Sequence, residues 1–211
     1  ARMRAVGTAH LNEIMNDYHL LPTHNFKFGQ HKDIENIHSN VYEKIFTQGI
    51  PDGCWYGCSM ACAKGVDNFE IKTGPCRGKI VTVDGPEYET STSLGPNIGI
   101  MNPAWTIEAN FYADHYGFDT ISLGTGLAFV CECYEKDYIN RDITGGLDLS
   151  FGNMEDLMEL IHRMAEGKDS FANDVSKGIR KMKKAFAEKY DAPMETMQDF
   201  GMEGQGVEVS E

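Results

Sequence analysis

The sequence has few basic side chains for its acidic content, and it contains no long apolar run. Lys and Arg number 19 against 32 Asp and Glu, which gives a formal net charge of -13. Nucleic-acid binding needs clustered Lys and Arg to neutralise phosphates, so this balance argues against it. No stretch of about 18 apolar residues predicts a membrane span, and the N-terminus lacks a secretory signal pattern. We therefore expect a soluble, cytoplasmic protein.

Composition and length favour a folded domain. Hydrophobic residues at 41% and charged residues at 24% are typical of a globular protein and exclude a disordered one. The 211 residues predict one domain and at most two. Because the chain opens at Ala1 without a start Met and stops at the acidic Glu211, we expect a piece of a longer protein.

Helical spacing of apolar residues dominates the chain. It predicts helices over residues 4–19 and 34–45, and a basic helix over residues 175–190. Two short runs of β-branched and aromatic residues flank the turn at 73–75 and predict a hairpin. The fold class is therefore predicted as mainly α, a helical bundle-like domain with one small β-hairpin.

Capping residues set the limits of the later helices. Asn102, Asp119 and Asn153 each precede a helical pattern and are typical N-caps. Gly117 is typical of a C-cap, because glycine adopts the left-handed conformation that commonly ends a helix. We expect one helix from Asn102 to Gly117 and a second that begins after Asp119.

Three of the six cysteines, Cys54, Cys58 and Cys62, lie close together. Disulfides between such near neighbours are geometrically awkward, whereas an iron–sulfur cluster takes one thiolate per iron. Zinc sites usually combine two paired knuckles, and no second pair follows here. The spacing favours a cluster, with zinc and inert buried thiols as alternatives, and segment 58–64 is predicted as one or two helical turns. A fourth ligand would be Cys76, Cys131, Cys133 or a residue outside the chain.

Several motifs follow one another in a fixed order. Besides the cysteine segment 54–62 they are residues 21–26 (Leu-Pro-Thr-His-Asn-Phe), 85–90 (Gly-Pro-Glu-Tyr-Glu-Thr), 94–100 (Leu-Gly-Pro-Asn-Ile-Gly-Ile), 107–110 (Ile-Glu-Ala-Asn), 114–122 (Asp-His-Tyr-Gly-Phe-Asp-Thr-Ile-Ser) and the tail 201–209. Together they resemble the aldehyde:ferredoxin oxidoreductase family, tungsten enzymes with a bis-pterin cofactor and one [4Fe-4S] cluster. The resemblance covers nearly the whole chain.

The resemblance also implies a domain organisation. Family members have an N-terminal β domain and two helical domains, and this chain looks like the central helical domain over residues 1–211. A division into domain 2 at 1–165 and the start of domain 3 at 166–211 is the other arrangement it implies. The N-terminal β domain, the C-terminal remainder and the fourth cluster cysteine would then be absent, so we expect the chain alone to be inactive.

Site residues carry over from matching positions. Cys54, Cys58 and Cys62 match the cluster ligands, although the first gap is one residue longer than the common Cys-x2-Cys-x3-Cys spacing. That gap is similar to the branch that contains the tungsten subunit of class II benzoyl-CoA reductases. The pterin motif Asp-x-x-Gly-Leu-Asp is matched, with Phe for Leu, by Asp114, Gly117, Phe118 and Asp119. A carboxylate can accept hydrogen bonds from a pterin, and a helix N-terminus favours its phosphate. The alternative is that Gly117 and Asp119 are only helix caps.

Glu89 is the main catalytic candidate, since it matches the second Glu of a Glu-Tyr-Glu motif beside the tungsten. A desolvated carboxyl has a raised pKa and can exchange protons near neutral pH. The alternative is a first-turn Glu stabilised by the helix dipole; Glu87 is a weaker candidate. His38, with Glu35 three residues earlier on one helical face, is a candidate proton donor on the substrate side, or else a surface pair.

Three further positions carry weaker expectations. His24 and His31 are expected to cluster with His38, and His24 stands where the family usually has Arg. Glu108 matches a position that binds a metal at the subunit interface in some homodimeric members, while its helical context favours a solvated side chain.

The resemblance implies part of a tungsten (or molybdenum) bis-pterin, [4Fe-4S] oxidoreductase of anaerobic metabolism. Its substrate would be an aldehyde/carboxylic acid couple or an aromatic-ring CoA thioester. The implied partners are the remaining domains of the same enzyme, ferredoxin or an iron–sulfur subunit, and a second copy in a homodimer. The alternatives are a non-catalytic iron–sulfur electron-transfer module and a structural zinc domain.

Overall fold

Ten α-helices and two antiparallel strand pairs form the fold in the computed structural model, which describes residues 2–50 and 52–209. The elements are α1 (Arg2–Val6), α2 (Leu11–Asp17), α3 (Ser39–Ile45), β1 (Gly65–Glu70), β2 (Ile80–Asp84), α4 (Tyr88–Ser93), α5 (Pro103–Tyr116), α6 (Thr120–Glu135), α7 (Met154–Glu166), α8 (Ser170–Val175), α9 (Ile179–Tyr190), α10 (Met194–Phe200), β3 (Glu203–Gly204) and β4 (Val207–Glu208), with 3-10 turns at Gly7–His10, Ile34–Ile37 and Pro96–Ile98. The mainly α class with a small hairpin is confirmed. The short β3–β4 pair adds a second one.

The predicted hairpin consists of β1 and β2. Val66 pairs with Val83, and Phe69 pairs with Val81. A β-bulge between Val66 and Phe69 shifts the register of the two strands. Phe69 and Val81 pack against the core, so one face of the hairpin is held by the helices. Strand β2 ends at Asp84, directly before the motif at residues 85–90.

The predicted caps are confirmed. The side chain of Asn102 accepts hydrogen bonds from the first turn of α5, and Asn153 accepts one at the start of α7. Asp119 accepts a hydrogen bond from the Ser122 backbone N–H at 2.8 Å and so caps α6. Gly117 ends α5 with φ +77°, in the left-handed region that favours glycine. The Asn and Asp caps bond to residues two or three positions away, so a short stretch of sequence is enough to predict them.

The prediction of one continuous helix over residues 4–19 is wrong. A 3-10 turn at Gly7–His10 separates α1 from α2. Gly7 has φ +60°, and a Cβ at this position would lie 2.7 Å from the carbonyl oxygen of Cys62. The helix is therefore interrupted where its backbone meets the cysteine segment.

The helix predicted over residues 34–45 also divides. A 3-10 turn covers Ile34–Ile37, and α3 begins at Ser39. Between them His38 has φ -58° and ψ 152°, which is extended rather than helical. The Glu13 carboxylate accepts hydrogen bonds from the Ser39 backbone N–H and hydroxyl group, and so holds the start of α3 in place.

Helix α6 runs through the centre of the main hydrophobic core. It is buried on all sides along most of its length, as expected for an apolar helix enclosed by others. The core cluster extends from Ile71 to Met197, so segments on both sides of residue 166 contribute to it. Within the described ranges 2–50 and 52–209, no helix is long and apolar enough to cross a membrane.

Close packing of α4 on α6 depends on a glycine. A Cβ at Gly124 would lie 2.5 Å from the backbone of Ser93, whereas a Cβ at Gly126 would meet only Met182 at 3.9 Å. We expect Gly124→Ala to lower the free energy of unfolding by about 1–3 kcal/mol because it overpacks this contact. Gly126→Ala is the matched control, and its better helix propensity should stabilise the chain by up to about 1 kcal/mol. Denaturant unfolding measures both, and equal effects would contradict the packing account.

Candidate functional site

The cysteine segment is an irregular loop. An isolated antiparallel bridge joins Asp52 to Ala63, with the Ala63 N–H donating to the Asp52 carbonyl at 3.2 Å. Ala61 has φ +49°, which no right-handed helix contains. The helical turns predicted for residues 58–64 are therefore wrong.

The six thiols fall into two groups. All are free; Cys54 is exposed, Cys58 and Cys62 are partly exposed, and the other three are buried. Burial raises the pKa of Cys131 and Cys133 and keeps these thiols protonated. Because metals and clusters bind the thiolate, the loop cysteines are the better ligands.

The donor set of the loop fits a cluster in its chemistry, since three free and accessible thiols lie within nine residues. In the described part of the chain, however, no three His, Cys, Asp or Glu side chains are grouped closely enough to hold a metal ion. The loop supplies the donors without presenting them in a coordination geometry.

Helices α4 and α6 bring the catalytic candidate and the pterin motif together. Glu89, partly exposed in the first turn of α4, is followed by Thr90, whose hydroxyl lies 2.8 Å from the hydroxyl of Thr120. Thr120 directly follows Asp119. The Ser93 hydroxyl also donates to the Thr120 carbonyl at 3.2 Å. Two motifs 30 residues apart thus meet through a threonine pair that the sequence did not reveal.

The 3-10 turn at Gly7–His10 positions the start of the Glu-Tyr-Glu motif. The Thr8 hydroxyl donates to the carboxylate of the exposed Glu87 at 2.5 Å, and the Tyr88 N–H donates to the Thr8 hydroxyl at 2.7 Å. Glu87 is therefore held in a structural hydrogen bond. Thr8 was not identified from the sequence, because only the folded chain brings it to this helix.

His38 and Glu35 do not share a helical face, so that prediction is wrong. Glu35 is exposed on the 3-10 turn and His38 follows in extended conformation. No hydrogen bond or ion pair joins them within the described residues. The segment nevertheless lies beside α4, because Asn12 accepts from the Ser91 hydroxyl at 3.0 Å and donates to the Ile37 carbonyl at 2.9 Å. Asn12 is fully buried and was not identified from the sequence.

The motif at 21–26 contacts the motif at 94–100. The backbone N–H of His24 donates to the Pro96 carbonyl at 3.0 Å, and the ring stacks on Phe151 with centroids 4.6 Å apart. His31 lies near it, with ring centroids 6.1 Å apart, but His38 is not part of these ring contacts. Burial is the main cause that lowers the pKa of His24, with further contributions from His31 and Lys27. A lowered pKa favours the neutral ring, so His24 does not supply the permanent positive charge that an Arg at this position would have.

Three of the four pterin-motif residues line a small cavity, and Asp114 is not among its lining residues. About 170 Å³ of space is enclosed by Gly117, Phe118, Asp119 and Ser122 of the α5–α6 turn and by the loop at residues 176–178. A Cβ at Gly117 would meet nothing within 4 Å, so the backbone there is open to a ligand. Ligand pockets usually measure about 300–1,000 Å³. The cavity fits one part of a cofactor, and the rest would need groups beyond this cavity.

Asp114 lies one helical turn before Gly117 and is exposed. Loss of surrounding solvent raises the pKa of Asp114, and the nearby Asp84 carboxylate raises it further. The cap roles of Gly117 and Asp119 are therefore confirmed, while a role of the four motif residues in cofactor binding stays a prediction.

Glu108 is buried, so the prediction of a solvated side chain is wrong. Its carboxylate accepts hydrogen bonds from the Lys72 N–H at 3.0 Å, the Thr73 N–H at 2.7 Å and the Thr73 hydroxyl at 2.5 Å. The same hydroxyl lies 3.2 Å from Nε2 of His162, whose pKa is lowered mainly by burial. The helical pattern failed here because the β1–β2 turn covers this side of α5.

The carboxylate of Glu108 satisfies three donors, so its removal should be costly. We expect Glu108→Ala to lower the free energy of unfolding by about 2–3 kcal/mol, because buried N–H groups lose their acceptor. Glu155→Gln, at an exposed position of α7, is the control and should change it by less than about 0.5 kcal/mol. Denaturant unfolding measures both values, and a Glu108→Ala effect as small as the control would contradict the assignment.

A larger cavity of about 1,180 Å³ lies beside this network, lined in part by Thr73, Trp105, Met154 and His162. None of the cysteine, Glu89 or pterin-motif residues lines it. The predicted catalytic and pterin-binding residues thus lie on α4 and at the α5–α6 turn, and not in this cavity.

The fold and these sites define a helical domain in which the motif at 85–90 contacts the motif at 114–122, and the motif at 21–26 contacts the motif at 94–100. The family model described as "Aldehyde ferredoxin oxidoreductase, domains 2 & 3" matches residues 1–211. The chain therefore belongs to the aldehyde ferredoxin oxidoreductase family.

Curated relatives agree with this assignment. The chain is 35% identical over 184 residues to the tungsten-containing aldehyde ferredoxin oxidoreductase of Pyrococcus horikoshii, covering 85% of this chain and 28% of that protein. It is also 35% identical over 189 residues to that of Thermococcus kodakarensis, covering 89% and 28%. An aliphatic sulfonate oxidoreductase, WOR-like subunit, from Pyrococcus furiosus is 28% identical over 139 residues, covering 63% and 21%. The chain thus spans little more than a quarter of the length of these tungsten-containing relatives.

A solved structure shares the fold. It is the active site complex BamBC of benzoyl coenzyme A reductase in complex with 1,5 dienoyl-CoA, with a TM-score of 0.64 and 16% identity over 94% of this chain and 28% of that chain. At this identity the similarity shows the fold alone.

Proposed function

We propose that the chain is the central helical part of a tungsten (or molybdenum) bis-pterin, [4Fe-4S] oxidoreductase. The observation that supports the proposal is the contact of α4 with α6 through Thr90 and Thr120, because Thr90 follows Glu89 and Thr120 follows Asp119. Family membership and the tungsten-containing relatives support the same function. When bound, the tungsten–pterin group would supply the two-electron chemistry, and the protein would supply binding, orientation and electrostatics.

Cys54, Cys58 and Cys62 would bind the cluster and pass electrons singly to a partner. Their accessibility supports this role, because a cluster that exchanges electrons must lie near the surface of the domain. The fourth ligand would come from outside the chain, since Cys76, Cys131 and Cys133 are buried whereas the loop cysteines are at least partly exposed.

Asp114, Gly117, Phe118 and Asp119 would hold one pterin. The open space at Gly117 admits a ring against the backbone. The Asp119 carboxylate, which caps α6 through Ser122, borders the cavity, and Asp114 would accept a hydrogen bond from a part of the cofactor outside it.

Glu89 would exchange protons with the substrate. Its place in the first turn of α4 supports this role, because the neighbouring Thr90 contacts Thr120 in the first turn of α6. His38 would donate a proton from the substrate side, because Asn12 holds its segment against α4. Glu35 is exposed on the 3-10 turn that precedes His38, and it would assist His38 in proton transfer.

The substrate would be an aldehyde/carboxylic acid couple or an aromatic-ring CoA thioester. The partners would be the remaining domains of the enzyme, ferredoxin or an iron–sulfur subunit, and a second copy of the protein in the cytoplasm. The division at residues 165/166 belongs to the same proposal, although one core extends across it.

Anaerobic assay of the full-length protein with both substrate classes and a redox dye tests the activity. Oxidation of aldehydes would assign the first class, and reduction of an aromatic CoA thioester would assign the benzoyl-CoA reductase branch. Turnover of neither class by protein that contains tungsten would contradict the proposal.

A further inference from the structure

Lys64 is a buried cation at the base of the cysteine loop. The residue is only 9% exposed. Its ammonium group donates to the carbonyl of Ala61 at 2.9 Å and to that of Ala63 at 2.7 Å, the two residues on either side of Cys62. The positive charge is therefore held against the backbone of one of the three loop cysteines.

The ammonium group of Lys64 forms no ion pair within residues 2–50 and 52–209, although Asp52, Asp67 and Asp84 line a cavity together with it. The other buried lysine of this part of the chain, Lys183, is 7% exposed and pairs with Glu203 at 3.4 Å. Burial of an unpaired charge is costly, and carbonyl dipoles neutralise it only in part.

The N-terminal turn fixes Lys64 in this position. A Cβ at Gly7 would lie 2.9 Å from Cγ of Lys64 and 2.7 Å from the Cys62 carbonyl oxygen. Only glycine allows the turn to cover the lysine so closely. The stem of Lys64 is thus packed against the N-terminal turn, and its ammonium group is held by the two carbonyls that flank Cys62.

We propose that Lys64 is the counter-charge of the iron–sulfur cluster and that it raises the reduction potential of the cluster. The inference rests on the proposed function, since it requires a cluster on Cys54, Cys58 and Cys62. Net charge, hydrogen bonds and solvent exposure set the potentials of such clusters. A fixed cation stabilises the reduced form more than the oxidised form, because reduction adds a negative charge.

The test uses the full-length protein, purified anaerobically, in three variants. Lys64→Met removes the charge and keeps the apolar stem, and Lys64→Arg keeps the charge. Lys168→Met removes a charge from a side chain that is 83% exposed and serves as the control. A redox titration followed by electron paramagnetic resonance gives the midpoint potential of the cluster, and iron and sulfide analysis gives its occupancy.

We expect Lys64→Met to shift the midpoint potential to a more negative value, and Lys64→Arg and Lys168→Met to leave it near that of the unaltered protein. Loss of iron in Lys64→Met but not in Lys64→Arg also supports the charge role. An unchanged potential in a fully loaded Lys64→Met protein overturns the inference, as does loss of iron in both Lys64 variants. If the unaltered protein contains no iron and sulfide, the proposed function itself fails.

Discussion

Cys62→Ser in the full-length protein is expected to abolish the [4Fe-4S] signal and electron transfer to an acceptor. Cys62 lies where the loop meets Gly7 and Lys64, so its position is fixed by more of the fold than that of the exposed Cys54. A serine hydroxyl is not deprotonated near neutral pH and cannot replace the thiolate that holds iron. Iron and sulfide per polypeptide, with electron paramagnetic resonance of the reduced protein, measure the effect.

Cys131→Ala provides the matched control. Cys131 is fully buried in α6, and burial raises the pKa of its thiol, so it should bind no iron. We expect this variant to keep its iron and sulfide despite a small loss of stability. Full iron content in Cys62→Ser, or loss of the cluster in Cys131→Ala with the fold intact, would contradict the ligand assignment.

Glu89→Gln is expected to lower kcat by about 10²–10⁴-fold, the usual contribution of a general acid or base. Glutamine keeps the size and hydrogen-bonding ability of the side chain but cannot exchange a proton at neutral pH. Because the Thr90–Thr120 contact is left in place, the metal and pterin content should not change. Steady-state kinetics on fully loaded protein measure the loss.

Glu87→Gln is the control for Glu89→Gln, because it removes a negative charge from the same motif without removing the proposed proton-exchanging group. Glu87 is exposed and its carboxylate accepts a hydrogen bond from Thr8, an interaction that a glutamine oxygen can retain. We expect a kcat close to that of the unaltered enzyme. Similar losses in the two variants, or no loss in Glu89→Gln, would exclude Glu89 as the proton-exchanging group.

Local signals made much of the fold predictable. Asn102, Asp119 and Asn153 cap their helices through bonds to residues two or three positions away, so the relevant chemistry lies within a short window of sequence. The β1–β2 hairpin was predicted for the same reason. The motifs added an expectation that no local rule contains, namely that segments far apart in the chain contribute to one site.

Contacts between residues distant in sequence account for the predictions that were wrong. Gly7 interrupts a helical pattern because its backbone meets Cys62, more than 50 residues away. Glu108 has a helical pattern that favours exposure, yet the turn after β1 supplies three donors to its carboxylate. Asn12 likewise has no motif, and its role follows from its two buried partners. In each case the role of the residue depends on a contact with a residue that is distant in sequence.

Metal and pterin analysis of the full-length protein, purified without oxygen, tests the central claim most directly. The account predicts tungsten or molybdenum together with pterin, and iron with acid-labile sulfide in the amount of one [4Fe-4S] cluster. Iron and sulfide without tungsten, molybdenum or pterin would contradict it and leave an electron-transfer module. Zinc in place of all of these would contradict it as well and identify a structural zinc domain.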